Sequence, residues 1–139
     1  MTNDDELTKY MMLIEQYKEQ LNTLENQSSY LQAAINDYAK AKITLKNLEK
    51  ADSESEILLP IGGNTFVEAK TKNTSKVLID IGGGLITERK PDLAIKKIDK
   101  RISDLQKNIE KIENMMKQIQ NEATEISYKA QQMMQEKQN

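Results

Sequence analysis

Histidine, cysteine and tryptophan are all missing from this 139-residue chain, phenylalanine occurs once and proline twice. Without cysteine there is no disulfide, no thiolate nucleophile and no thiolate metal site; without histidine the commonest metal ligand and the commonest general base are gone. One phenylalanine and 30% charged residues leave little to fill a compact core, so an elongated protein is expected. The 20 basic and 22 acidic residues give a net charge of −2 and no broad positive field, so neither nucleic acid nor membrane is expected as a partner. The opening "MTNDDELTKY" is acidic and polar, with no basic segment leading into an apolar one, and no run approaches the length of a membrane span. The expectation is a soluble, cytoplasmic protein that is not an enzyme and carries no cofactor or metal.

What the chain does have is periodicity. Apolar residues step by three and four from Leu7, with heptad a positions at Leu7, Ile14, Leu21, Ser28, Ile35 and Lys42 and d positions at Tyr10, Tyr17, Leu24, Leu31, Tyr38 and Leu45. Ser28 and Lys42 weaken that seam locally; polar a residues either fix register or admit another surface at their level. After Pro91 the pattern is cleaner, with a positions Ile95, Ile102, Ile109, Met116, Ala123 and Ala130 and d positions Ile98, Leu105, Ile112, Ile119, Ile126 and Met133, all apolar. Sustained over about six heptads, such a repeat predicts a left-handed coiled coil, with each helix roughly 70 Å long. "KPDLA" supplies the second start signal, Pro91 in the first turn and Asp92 beside the positive end of the dipole. Two helices of similar length, over residues 5–50 and 91–137, fold back most simply as an antiparallel pair, with facing residue numbers that sum to about 141. Tyr10 and Tyr17 would then meet the region of Ala123 and Ala130, large against small, and both chain ends would lie together.

Between the helices, residues 57–90 follow a different rule. "ILLPI" at 57–61, "NTFVEAK" at 64–70, "KVLIDI" at 76–81 and "LITER" at 85–89 read as strands, separated by "GGN", "TKNTS" and "GGG" turns, and so as two successive hairpins. Pro60 suits an edge or a strand end rather than a central strand. Two lone hairpins bury too little to stand alone and expose pairing edges, so they call for other subunits and closure into a sheet or barrel. The fold class expected is therefore α+β, mainly α: a long antiparallel two-helix coiled coil with a two-hairpin β insert that forms an oligomeric β-barrel.

Few motifs carry chemistry. "IGGNTF" and "DIGGGL" lack the spacing of phosphate loops and have no helix start behind them, which makes them turn glycines. Glu15, Glu19, Glu110 and Glu113 stand at outward heptad positions among lysines and read as a solvated face. "NQS" at Asn26 and "NTS" at Asn73 match glycosylation acceptors by chance if no export signal precedes them. The chain ends depart from plain heptads: Met11, Met12 and Leu13 at one, Tyr128 and Met134 beside Met133 at the other. Flexible thioethers suit a surface that re-packs on varied apolar shapes; alternatively these residues only widen the seam.

The order helix, two hairpins, helix, with "LLPIGG", "VEAK", "TSKVLIDIG" and the "GLITE" exit followed by "AI", resembles the prefoldin family over essentially the whole chain, and within it the α-type archaeal subunits, which carry two hairpins where β-type subunits carry one. The resemblance implies a single prefoldin-like domain over residues 1–139. It implies a hexamer of two α and four β subunits, its hairpins forming two β-barrels from which coiled coils hang like tentacles. It further implies an ATP-independent chaperone that captures unfolded or nascent polypeptides at the tentacle tips and passes them to the group II chaperonin. By position, substrate binding falls on Leu7, Tyr10, Met11, Met12, Leu13, Ile14, Tyr128, Met133 and Met134. Oligomerisation falls on Leu58, Leu59, Ile61, Phe66, Val67, Val77, Leu78, Ile79, Ile81, Leu85 and Ile86. A structural coiled-coil scaffold, or a filament-forming member of the same family, is the alternative.

Overall fold

A computed structural model describes residues 2–51 and 54–138. Two α-helices of 48 residues, α1 (Asn3–Lys50) and α2 (Pro91–Gln138), flank four strands, β1 (Glu56–Gly62), β2 (Thr65–Lys70), β3 (Val77–Asp80) and β4 (Ile86–Arg89). Both helices can run this long because neither contains glycine and the only proline stands at the first position of α2, where its missing N–H has no partner to lose. Thr2 caps α1 reciprocally: its hydroxyl accepts from the Asp5 N–H at 3.3 Å, and its own N–H donates to the Asp5 carboxylate at 3.4 Å. Asp4, Asp5 and Glu6 in the first turn of α1 and Lys137 in the last turn of α2 complement the helix dipoles.

The chain divides into two compact units, one built from its ends, Met1–Ala34 with Leu105–Asn139, and one of Ile35–Asp104. In the first, the described helix segments run antiparallel, with an ion pair joining Asp4 and Lys137. Leu24 and Ala130 are buried there, and the seam positions from Leu7 to Leu31 and from Leu105 to Met133 are otherwise half-buried.

In the second unit the remaining lengths of α1 and α2 again run antiparallel. Lys42 Nζ lies 2.6 Å from Asp99 Oδ1, and the Arg101 guanidinium donates to the Tyr38 hydroxyl at 3.4 Å. The numbers of Lys42 and Asp99 sum to 141, as do those of Asp4 and Lys137 in the other unit. Ile35 and Ala94 are buried, Ala94 almost completely at 1% exposure. Asp92 holds the Glu49 pKa above its ordinary value, chiefly through side-chain hydrogen bonding, with smaller contributions from desolvation and the like charge, against the pull of Lys46.

Half-buried in the seam, Lys42 meets a carboxylate of the opposite helix, a contact that fits the first of the two functions open to a polar a residue, the fixing of register. Lys42→Asp, which sets like charges against each other, is expected to lower stability by about 1–2 kcal/mol, with most of the loss recovered in the charge-swapped Lys42→Asp/Asp99→Lys protein. Thermal unfolding followed by helical circular dichroism measures both; strictly additive losses in the double variant would remove the pair from any role in register.

The hairpins form two separate two-stranded sheets, β1 with β2 and β3 with β4. In the first, Gly63 and Asn64 both have positive φ, 57° and 56°, as a two-residue type I′ turn requires. Asn64 therefore belongs to the turn, and β2 starts one residue later than strand-forming residues alone indicate. Pro60 lies within β1, opposite Phe66, beside an irregularity between Pro60 and Gly62, a placement open to an edge strand. In the second, Gly82, Gly83 and Gly84 all have positive φ, the Asp80 carboxylate accepts from the Gly82 N–H at 2.8 Å, and the Leu85 N–H donates to the Gly82 carbonyl at 3.1 Å. That turn takes up Leu85, so β4 begins at Ile86. Neither hairpin closes a barrel within one chain.

Candidate functional site

Two surfaces carry the residues singled out in the sequence, one in each unit. In the unit of the chain ends, Leu7, Tyr10, Leu13, Ile14 and Met133 are half-buried in and beside the seam. Met11, Met12, Tyr128 and Met134 are exposed, by 56, 62, 61 and 50%. The heptad explains the split. Met12 and Tyr128 occupy f positions, the outermost on their helices, while Met11 and Met134 occupy e positions, which share one flank of an antiparallel pair. Leucines and tyrosines at a and d thus hold the helices together, and the thioethers and the Tyr128 ring face water around them. The Tyr128 hydroxyl accepts from the Gln132 amide one turn on at 3.1 Å.

Two open grooves follow the same helix pair. One of about 540 Å³ is bordered by Gln20, Leu24, Met115 and Ile119, and one of about 460 Å³ by Tyr30, Leu31, Lys111 and Ile112. Tyr30, 79% exposed, and Met115, 51% exposed, stand off the seam and were not among the residues marked in the sequence. Their signal was there, as large apolar side chains at positions the heptad leaves to solvent. Among the described residues no three acidic side chains gather as metal donors would, and no helix is long and apolar enough to cross a membrane.

The second surface is the hairpin pair. Leu58, Leu59, Ile61, Phe66, Val67, Leu78, Ile81, Leu85 and Ile86 are exposed, by between 42 and 69%. Cross-strand register sorts them onto faces, since directly opposed residues point the same way. In the first hairpin Leu59 opposes Val67 and Pro60 opposes Phe66, so both faces are apolar. In the second, Leu78 opposes Glu88 and Asp80 opposes Ile86 on the exposed face, while Val77 opposite Arg89 and Ile79 opposite Thr87 are half-buried on the other. The Thr87 hydroxyl on that inner face is buried without a hydrogen-bond partner. Alternation in "KVLIDI" announces two faces in the sequence, but which one the chain covers itself is visible only once folded.

The family model of the prefoldin subunit matches the chain over residues 17–136. The prefoldin α subunit of Archaeoglobus fulgidus is 28% identical over 101 residues, 73% of this chain and 74% of that protein. That of Methanosarcina barkeri is 30% identical over 90 residues, 63% of this chain and 62% of that protein. In fold, the chain is similar to a filamentous prefoldin of Methanocaldococcus jannaschii seen by cryo-electron microscopy, with a TM-score of 0.75, 22% identity, and coverage of 84% of this chain and 97% of that one. It is also similar to the crystal structure of the prefoldin β subunit of Thermococcus strain KS-1, with a TM-score of 0.59, 17% identity, and coverage of 91% and 90%. A helix pair interrupted by two exposed hairpins, matched to one family over most of its length, makes this chain a member of the prefoldin family.

Proposed function

We propose that the chain is the α-type subunit of a cytoplasmic, ATP-independent chaperone that captures unfolded or nascent polypeptides and delivers them to the group II chaperonin. In this reading residues 57–90 are the assembly module, and the helices over 5–50 and 91–137 present the capture surface at the chain ends. The assembly is a hexamer with four β-type subunits and a second α-type copy, its hairpins closing into barrels.

The observation that carries this reading is the pairing of two solvent-facing apolar surfaces with family membership: nine exposed apolar residues on hairpins too small to persist unpaired, and four exposed apolar residues around the chain ends. Full burial of one such side chain contributes about 1.5–3 kcal/mol, and ordering costs remove part of it, so each helix pair grips weakly. Several pairs on one platform raise the effective concentration, and a client is held by avidity while each contact exchanges freely. Release then needs competition from the receiving chaperonin rather than hydrolysis.

Native mass spectrometry of this chain mixed with a β-type subunit of the same genome tests the assembly. A species of two such chains with four partners is the expected result; a lone dimer would refute the hexamer and leave a coiled-coil scaffold. An open-ended series of masses from this chain alone would favour filament formation, the arrangement for which the Methanocaldococcus jannaschii relative is named.

A further inference from the structure

Besides Met1, the six methionines fall into two environments. Met11, Met12 and Met134 stand exposed around the chain ends and Met115 further along the pair, whereas Met116 and Met133 are half-buried seam residues. The chain has no cysteine or tryptophan to compete for a mild oxidant. Its reactive sulfur is all thioether, and much of the exposed share lies on the surface proposed to bind clients.

We infer that Met11, Met12 and Met134 form an oxidation-sensitive modification site, at which conversion to the sulfoxide switches client capture off and reduction restores it. The inference rests on the capture reading above. A peroxide is the oxidant: the thioether sulfur attacks one peroxide oxygen, the O–O bond breaks, and methionine and hydrogen peroxide give methionine sulfoxide and water. Sulfur loses two electrons and the peroxide gains them. The product is a polar, strongly accepting S=O group on a side chain whose binding value lay in being apolar and pliable. Burying it against a client's apolar surface leaves that oxygen without a donor, which works against the contact it replaced. Assembly is untouched, because the hairpins contain no methionine. The seam is spared too while Met116 and Met133 remain covered by their neighbours.

The test oxidises the full chain with hydrogen peroxide, removes the peroxide, and then assembles the chain with untreated partner subunits. Peptide mass mapping is expected to place the first sulfoxides on the exposed methionines, ahead of Met116 and Met133. Suppression of aggregation of a denatured client is expected to require about tenfold more oxidised complex, with the native mass of the assembly unchanged, and to recover after treatment with the two stereospecific methionine sulfoxide reductases. A Met11→Leu/Met12→Leu/Met134→Leu chain, which keeps Met115, is compared with its own untreated form and is expected to lose little on the same exposure. Equal loss in that variant, full protection by wild-type chain carrying the three sulfoxides, or earlier oxidation of the seam methionines would each overturn the site. Failure of the unoxidised complex to protect any client overturns the capture reading instead, and the switch with it, while the mapping still tells where oxygen is added.

Discussion

Replacing Leu78 and Ile86 together by aspartate is expected to leave a helical protein that no longer assembles. The two are 69 and 63% exposed and share the outer face of the second hairpin, so the chain itself loses little packing when they change. If that face is buried against a neighbouring subunit, as proposed, the pair contributes about 2 kcal/mol each by burial, and the two unpaired carboxylates together add a desolvation cost of about 2 kcal/mol. A loss near 6 kcal/mol corresponds to on the order of 10⁴-fold in the dissociation constant. Val77 and Ile79 are poorer probes because their half-buried face also serves the chain's own fold. Native mass spectrometry and far-ultraviolet circular dichroism read the two halves of the prediction. Intact hexamers would exclude the outer face of this hairpin as the interface and leave the first hairpin, with Leu58 and Phe66, to carry it.

The second large effect is expected on the surface proposed to bind clients. Changing Met11, Met12, Tyr128 and Met134 all to glutamine removes the exposed apolar groups at the chain ends and keeps the a and d residues that hold the helices together. Glutamine is nearly as good a helix former as methionine, so ellipticity and oligomeric mass should not change. If a client engages only two of these side chains per subunit, the loss is about 3 kcal/mol, or on the order of 100-fold in half-saturating concentration, and simultaneous engagement of several subunits amplifies it. Light scattering of a denatured client against increasing chaperone measures the change. Undiminished protection would move the capture surface off the chain ends, with the groove beside Tyr30 and Ile112 next in line.

Much of this was legible beforehand, for a physical reason: a heptad states its own burial pattern. All twenty-four a and d positions read from the sequence are buried or half-buried, Ser28 and Lys42 included. The glycines at 62–63 and 82–84 likewise announced turns, since positive φ strains every other residue type more. Lys42 was visible as an interruption, but its partner was not. Asp99 sits at an e position and becomes a partner only after the helices take one register. The strand limits at Asn64 and Leu85 were blurred because turn geometry, not side-chain preference, decides them. Which apolar residues at the chain ends face water depended on telling e and f positions from a and d, and there the exposure of Met11, Met12, Tyr128 and Met134 adds what composition alone left open.

The paired ends also bear on how the chain zips up. Arg101 and Tyr38 meet across 63 residues of sequence, whereas Asp4 and Lys137 close a loop more than twice as long. Loop-closure entropy grows with the logarithm of that length, so contacts nearer the hairpins form at lower entropic cost, and the Asp4–Lys137 clasp is the last to close and the first to open. Fraying is therefore concentrated where the exposed methionines stand. If that surface binds unrelated chains, as proposed, such a place suits it, because helix ends that part readily can re-pack around a guest.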